Sequence, residues 1–319
     1  MVRFKIKYYI LIMAVLMASC INDDMNLCVF ENRVFFDYVA VAEEGKGINI
    51  SALDKINLYV FDSSGKFIKE YTDASPKISP VYHITLSEMP PGHYHLVAWG
   101  NLGEQYSVIS PRTLEEGKSD ISDLAVELTT IKDGVTTDAL SPLFFATHKE
   151  GNTTEIRPLN PSDIRLRLVE DTYVINIEGV GLDSMNVTDY AYSVYISDNN
   201  SRYKFDNDYA DSENFRYATR LKVEPEADWR LSGQLRVLRL SESRQDVTIK
   251  LINETLNTEI GGGNLIELIR SANEKGASLD LDEIHKFDLR FEFEPRSPLN
   301  CNVYINGYKV VDQNGTILD

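Results

Sequence analysis

Phe287-Asp288-Leu289-Arg290-Phe291-Glu292-Phe293-Glu294 alternates without a break between apolar and charged residues. A period of two places Phe287, Leu289, Phe291 and Phe293 on one face of a strand and four charges on the other. One buried face and one wet face are what a strand in a sandwich requires. The pattern recurs along the chain. Ile56, Leu58 and Val60 alternate with Asn57, Tyr59 and Phe61, and Asp62-Ser63-Ser64-Gly65 turns the chain into Lys66 to Tyr71 as a hairpin. Pro90-Pro91-Gly92 opens a run from His93 to Trp99, and Leu143 to Ala146 reads as a short buried strand. Ile164, Leu166 and Leu168 alternate with Arg165 and Arg167. Tyr190, Tyr192, Val194 and Ile196 share a face. Asp198-Asn199-Asn200 leads into Arg202 to Phe205, and Val247, Ile249 and Leu251 share a face. Val303 and Ile305 precede an end strand from Tyr308 to Val311.

One helix interrupts this reading. Asn264 is placed to cap it, with Glu267 three residues on; Leu265, Leu268, Ile269 and Ala272 fall on one face, and Gly276 ends it. The strand–helix alternation of a parallel α/β fold is missing. The expected fold is therefore all-β in the main: two β-sandwich domains in tandem, with one short helix in the second. Pro158 and Pro161 break the strand pattern near the middle, and proline is poorly tolerated in central strands. They set the expected division at 29–159 for the N-terminal sandwich and 160–319 for the C-terminal one.

The first twenty residues have a different character. Arg3, Lys5 and Lys7 precede an apolar run from Tyr8 to Leu16, which ends in Met17-Ala18-Ser19-Cys20. This is the layout of a secretory signal, residues 1–19, and the run falls short of the roughly 20 apolar residues that span a bilayer. A cysteine after small residues resembles a bacterial lipobox, with cleavage between Ser19 and Cys20 and acylation of Cys20. Residues 20–28 are then a lipidated tether, and Asp23-Asp24 resembles a surface-export signal of Bacteroides-type lipoproteins. The expected location is the outer membrane, surface-exposed and held by lipid; more than one acyl chain is needed for stable anchoring.

The 319-residue chain carries a net charge of −17, and loss of the leader, with three cations and no acid, makes the body more negative still. Such a body repels nucleic-acid phosphates and has no polybasic membrane patch. Of the three cysteines, Cys28 and Cys301 remain once Cys20 is acylated. An even count in an oxidising compartment leaves two readings: a disulfide joining the start of the body to its last strands, or two unpaired buried thiols.

Catalytic and metal patterns are weak. His93 and His95 share a strand face, but no third zinc ligand is identifiable. Asp206-Asn207-Asp208-Tyr209-Ala210-Asp211 departs from a calcium loop at Ala210 and Asp211 and reads as a solvated loop. Gly261-Gly262-Gly263 lacks the lysine and serine of a P-loop and reads as a flexible lead-in to the helix. Neither a nucleophile elbow nor an H-E-x-x-H helix occurs. The expectation is a protein that is not an enzyme, with no metal and no cofactor.

Four segments, taken together, carry a resemblance. They are Asp23-Asp24-Met25 with Cys28; Ile56-Asn57-Leu58-Tyr59-Val60-Phe61-Asp62 closed by Gly65; Pro91-Gly92-His93-Tyr94-His95-Leu96-Val97-Ala98-Trp99-Gly100-Asn101; and Val303-Tyr304-Ile305-Asn306-Gly307-Tyr308-Lys309-Val310-Val311. The chain resembles, over nearly its whole length, the fimbrial anchor lipoproteins of Bacteroides-like bacteria, the FimB-type or minor-fimbrium anchoring family. Tyr308 departs from the tryptophan expected there. The resemblance implies transthyretin-like sandwiches and a place at the base of a fimbrium, which the protein holds to the outer membrane and whose length it limits. It implies fimbrial (pilin) subunits as partners, joined by strand complementation. In related stalk subunits a trypsin-like cut after an arginine removes the first strand. The first strand expected here, around residues 29–39, contains Arg33. Cutting there would part the body from its lipid, so Arg33 is expected to stay intact and face outward. The competing readings are a tip or stalk fimbrillin that binds host or bacterial surfaces, and a surface glycan-binding lipoprotein using exposed aromatics.

Overall fold

The computed structural model describes residues 31–38, 49–109, 113–148, 153–157, 162–182, 187–224, 229–244, 246–294 and 297–311. Its strands in the first half are β1 (Asn32–Asp37), β2 (Ile56–Asp62), β3 (Phe67–Asp73), β4 (His83–Leu86), β5 (Gly92–Gly100), β6 (Tyr106–Val108), β7 (Ala125–Leu128), β8 (Val135–Thr136), β9 (Phe144–Thr147), β10 (Thr154–Ile156) and β11 (Asp163–Glu170). The second half holds β12 (Thr172–Val180), β13 (Tyr192–Asp198), β14 (Arg202–Lys204), β15 (Phe215–Arg220), β16 (Lys222–Glu224), β17 (Arg230–Leu238), β18 (Thr248–Asn253), β19 (Thr258–Asn264), helix α1 (Leu265–Glu274), β20 (Lys286–Glu294), β21 (Ser297–Ile305) and β22 (Tyr308–Val311). Among the described residues the architecture is mainly β with one short helix, as expected from the alternation.

The first sheet runs β3-β2-β5-β9-β11-β1-β4, with β10 added on β5. It is antiparallel except where β1 runs beside β11. It is covered on both sides. Ile56, Leu58 and Val60 of β2 enter a core with Val34, Phe36, Leu96 and Leu166, whereas Tyr59 and Phe61 point the other way, toward Trp99, Tyr106 and Leu124. Burial on both faces explains why β2 reads as a nearly continuous apolar run. Its turn follows the sequence: Asp62 Oδ1 accepts from the Ser64 and Lys66 amides at 2.8 and 2.9 Å, and Gly65 takes φ +84°, which a side chain would resist.

The second half is a two-sheet sandwich, β16-β17-β12-β20-β21-β22 against β19-β18-β13-β15-β8. Phe287, Leu289, Phe291 and Phe293 are all buried, as their alternation requires, against a core that includes Ile196, Ile249 and Leu251. Helix α1 starts where expected: Asn264 Oδ1 accepts the Glu267 amide at 2.9 Å. Its apolar face, Leu265, Leu268, Ile269 and Ala272, is fully buried beside β19, β21 and β22.

Three expectations need correction. A division at 159/160 would assign Asp163–Glu170 to the C-terminal unit, yet β11 pairs with β1 and β9 of the first sheet, and the chain passes between sheets at Asp171. Gly261-Gly262-Gly263 is no loose lead-in. It lies in β19, paired with β18, and the packing there demands glycine: a Cβ on Gly262 would sit 2.4 Å from the Ile249 carbonyl oxygen and one on Gly261 2.9 Å from the Phe291 ring. Arg202 to Phe205 does not join the C-terminal sandwich. As β14 it pairs with β7, in a three-stranded sheet β14-β7-β6 that covers the first half.

Candidate functional site

Ser19, Cys20 and Cys28 lie outside the described residues, as do Asp23 and Asp24. Cys301 is described: it is buried in β21 beside Gly261 and Phe291, and burial pushes its thiol up to about 11. Cys301 lies opposite Phe293, which approaches Gly181 just past the end of β12, whereas Arg33 of β1 lies opposite Asp163 at the start of β11. The first strand and Cys301 thus occupy opposite ends of the consecutive strands β11 and β12.

The first strand is built in on both sides. Arg33, Val34, Phe35, Phe36 and Asp37 pair in parallel with residues 163–167, and Asn32 to Phe35 pair antiparallel with residues 83–86. Val34 and Phe36 fill the core. Arg33 faces outward, half-exposed, with its guanidinium 2.8 Å from Asp163 and over the ring of Phe35. Arg165 reaches Asp37 at 2.6 Å and covers the same ring from the neighbouring strand. A protease binds its substrate as an extended, unpaired segment. The backbone at Arg33 is committed to two neighbours, its amide donating to the Ser162 carbonyl at 3.0 Å. Cleavage there requires β1 to leave the sheet first.

His93 is exposed and His95 half-buried on β5. Burial, and after it the nearby imidazole of His95, lowers the pKa of His148. Among the described residues no group of three or more His, Cys, Asp or Glu side chains is placed to hold a metal ion. The segment 206–211, expected as a solvated loop, is instead a tight, partly buried turn. Asn207, at φ +66°, donates from its amide to the Lys204 carbonyl at 3.0 Å and from its side chain to Asp171 at 2.9 Å.

That contact opens onto a feature the sequence hid, a buried polar junction between the two halves. Glu170 accepts from Arg236 at 2.7 Å and from Thr172 at 2.9 Å. Asp171, 1% exposed, lies 3.7 Å from Arg239, and burial, outweighing Arg239 and Asn207, pushes its carboxyl up to about 6. Arg239 and Arg244 both stack over Tyr209, and Arg244 pairs with the buried Asp198. The sequence signal is the acidic pair Glu170-Asp171 set between two alternating strands with no turn-forming glycine or proline beside it.

Strands, one capping helix and an inserted first strand define a tandem-sandwich β-protein whose distinctive surfaces are sheet margins. The family model for fimbrillin-A associated anchor proteins Mfa1 and Mfa2 matches residues 31–314, and the chain belongs to that family. Membership makes it a fimbrial structural protein of the cell surface, as the sequence resemblance implied. The fold agrees with solved structures of low sequence identity. The fimbrial anchor protein Mfa2 of Porphyromonas gingivalis is 19% identical with a TM-score of 0.69, over 88% of this chain and 99% of that one. A candidate polysaccharide-binding protein of Bacteroides thetaiotaomicron is 18% identical with a TM-score of 0.71, over 90% and 99%. A candidate adhesin of Bacteroides ovatus is 16% identical with a TM-score of 0.69, over 88% and 94%. Comparison with curated proteins returns no match.

Proposed function

We propose that this protein is a lipid-anchored outer-membrane subunit that holds a fimbrium to the cell and limits its length, a structural role and not a catalytic one. The observation that carries this reading is the place of the first strand inside the sheet. β1 occupies the place between β4 and β11 and buries Val34 and Phe36 there. Strand complementation gives each joint its affinity through backbone hydrogen bonds and its specificity through alternate side chains in pockets. A subunit whose own strand fills that place accepts no donor, so the polymer ends at it. The same strand follows directly from the tether that begins at Cys20. Keeping β1 intact therefore keeps the body on its lipid and closes the chain of subunits in one arrangement, without cleavage at Arg33.

The test is Cys20→Ala in the native cell. Fimbriae shed into the medium, while wild-type cells retain theirs, support the reading. Fimbriae that stay attached and of normal length sink it and favour a tip adhesin or a glycan binder.

A further inference from the structure

We infer that the two sandwiches are strapped into a single mechanical and folding unit, in which each half lends a strand to the other. Along the chain they are linked by Asp171 alone, between the end of β11 and the start of β12. Ordinary domains joined so briefly still unfold and move separately unless a large apolar interface couples them.

Two straps cross this junction in opposite directions. β14, from the second half, pairs with β7 of the first through Arg202, Tyr203 and Lys204 opposite Glu127, Val126 and Ala125. The Leu128 amide extends the ladder to the Ser201 carbonyl at 2.9 Å, and Arg202 pairs with Glu127 at 2.9 Å. β8, from the first half, runs parallel to β15 of the second, Val135 opposite Arg216 and Thr136 opposite Tyr217. There the Arg216 amide donates to the Gly134 carbonyl at 2.9 Å.

Side chains lock the straps. Tyr203 is buried, its ring 6.1 Å from that of Trp99 in the first sheet, and Arg239 of the second half lies 5.8 Å over it. Tyr217, also buried, donates to Asn200 at 2.8 Å and accepts from the Leu238 amide at 3.2 Å. The core therefore runs on without a break from Trp99 and Tyr106 through Tyr203 to Ile175 and Phe287. Melting either half pulls its strap from the other and exposes part of the other's core. The halves thus share one transition, and a pull between the two ends is carried through strand ladders as well as through Asp171. This holds whether or not the body anchors a fimbrium.

The two tryptophans make the test direct: Trp99 lies in the first half and Trp229 in the second. Trp229→Phe and Trp99→Phe each leave one reporter in the full chain. In denaturant, coincident midpoints and slopes are expected for the two reporters, and adding Tyr203→Ala moves both midpoints by the same amount. Separate transitions, or a Tyr203→Ala shift confined to one reporter, overturn the inference. Should a tryptophan variant fail to fold, hydrogen exchange of the wild-type chain near its midpoint decides. Amides of β5 and β18 that open together support the strapped unit; β5 exchanging while β18 stays protected overturns it.

Discussion

The two sandwiches manage their margins by different chemistry. In the first sheet the outer strands β3 and β4 come near each other without backbone pairing. Side chains lace the gap: the Tyr71 hydroxyl donates to the Ser87 carbonyl at 2.9 Å, Tyr82 donates to Asp73 at 2.9 Å, and Lys69 faces Glu88 at 3.9 Å. In the second half the corresponding margin is stopped by α1, packed on β19, β21 and β22, with Tyr308 donating to the Gly276 carbonyl at 3.2 Å. Open edges invite foreign strands, and covering one with a helix is a strong protection. The comparison teaches that the second half is closed by apolar burial, whereas the first is held by its inserted strand and by polar lacing that is individually weak.

The sharpest way to break this contrast is Leu268→Ala. Leu268 is fully buried on α1, and its truncation is expected to cost about 2–5 kcal/mol in chemical denaturation. A loss below about 1 kcal/mol would mean that the helix is not what closes the margin. Next comes Asp171→Asn, at the junction between the halves. Burial raises this carboxyl from 3.8 to about 6, so between those pH values the folded chain keeps a proton that the unfolded chain releases. Its contribution to stability is most favourable below about pH 4, falls as pH rises, and is least favourable above about pH 6. The asparagine variant is expected to lose less stability than wild type from pH 4 to 6, by up to about 3 kcal/mol. Parallel stability curves for the two proteins would count against a proton held there. Asn264→Ala removes the cap of α1 and should cost about 1 kcal/mol, read as a lowered melting temperature. The smallest change expected is Tyr71→Phe, which removes one lace of the first margin for roughly 0.5–1.5 kcal/mol. A Tyr71→Phe loss larger than that of Leu268→Ala would reverse the assignment of weak and strong margins.

Much of this was legible because burial leaves a period. β20, β11 and β18 alternate since one face of each is packed, and Asn264 with Glu267 marks the helix start because the first amides of a helix need an acceptor. The straps were not legible. β8 and β14 span two and three residues, too few to show a period, and their partners are chosen by contacts remote in sequence. The division misplaced at 159/160 has the same origin: β11 alternates like any strand of the second half, and nothing in Ile164, Leu166 or Leu168 states which sheet it joins. Glu170 and Asp171 read as surface in the sequence because charge usually marks surface. Cys20 stood out from its flanking residues alone.

The exchange of strands also bears on how such a chain can evolve. Recombination that replaced everything after Asp171 with the corresponding piece of a distant relative would take β14 from β7 and β15 from β8 in one event. Neither half is a portable module. Variation in this body must accumulate by substitution in place or arrive by replacement of the whole body, and successful crossovers should be rare between residues 125 and 217.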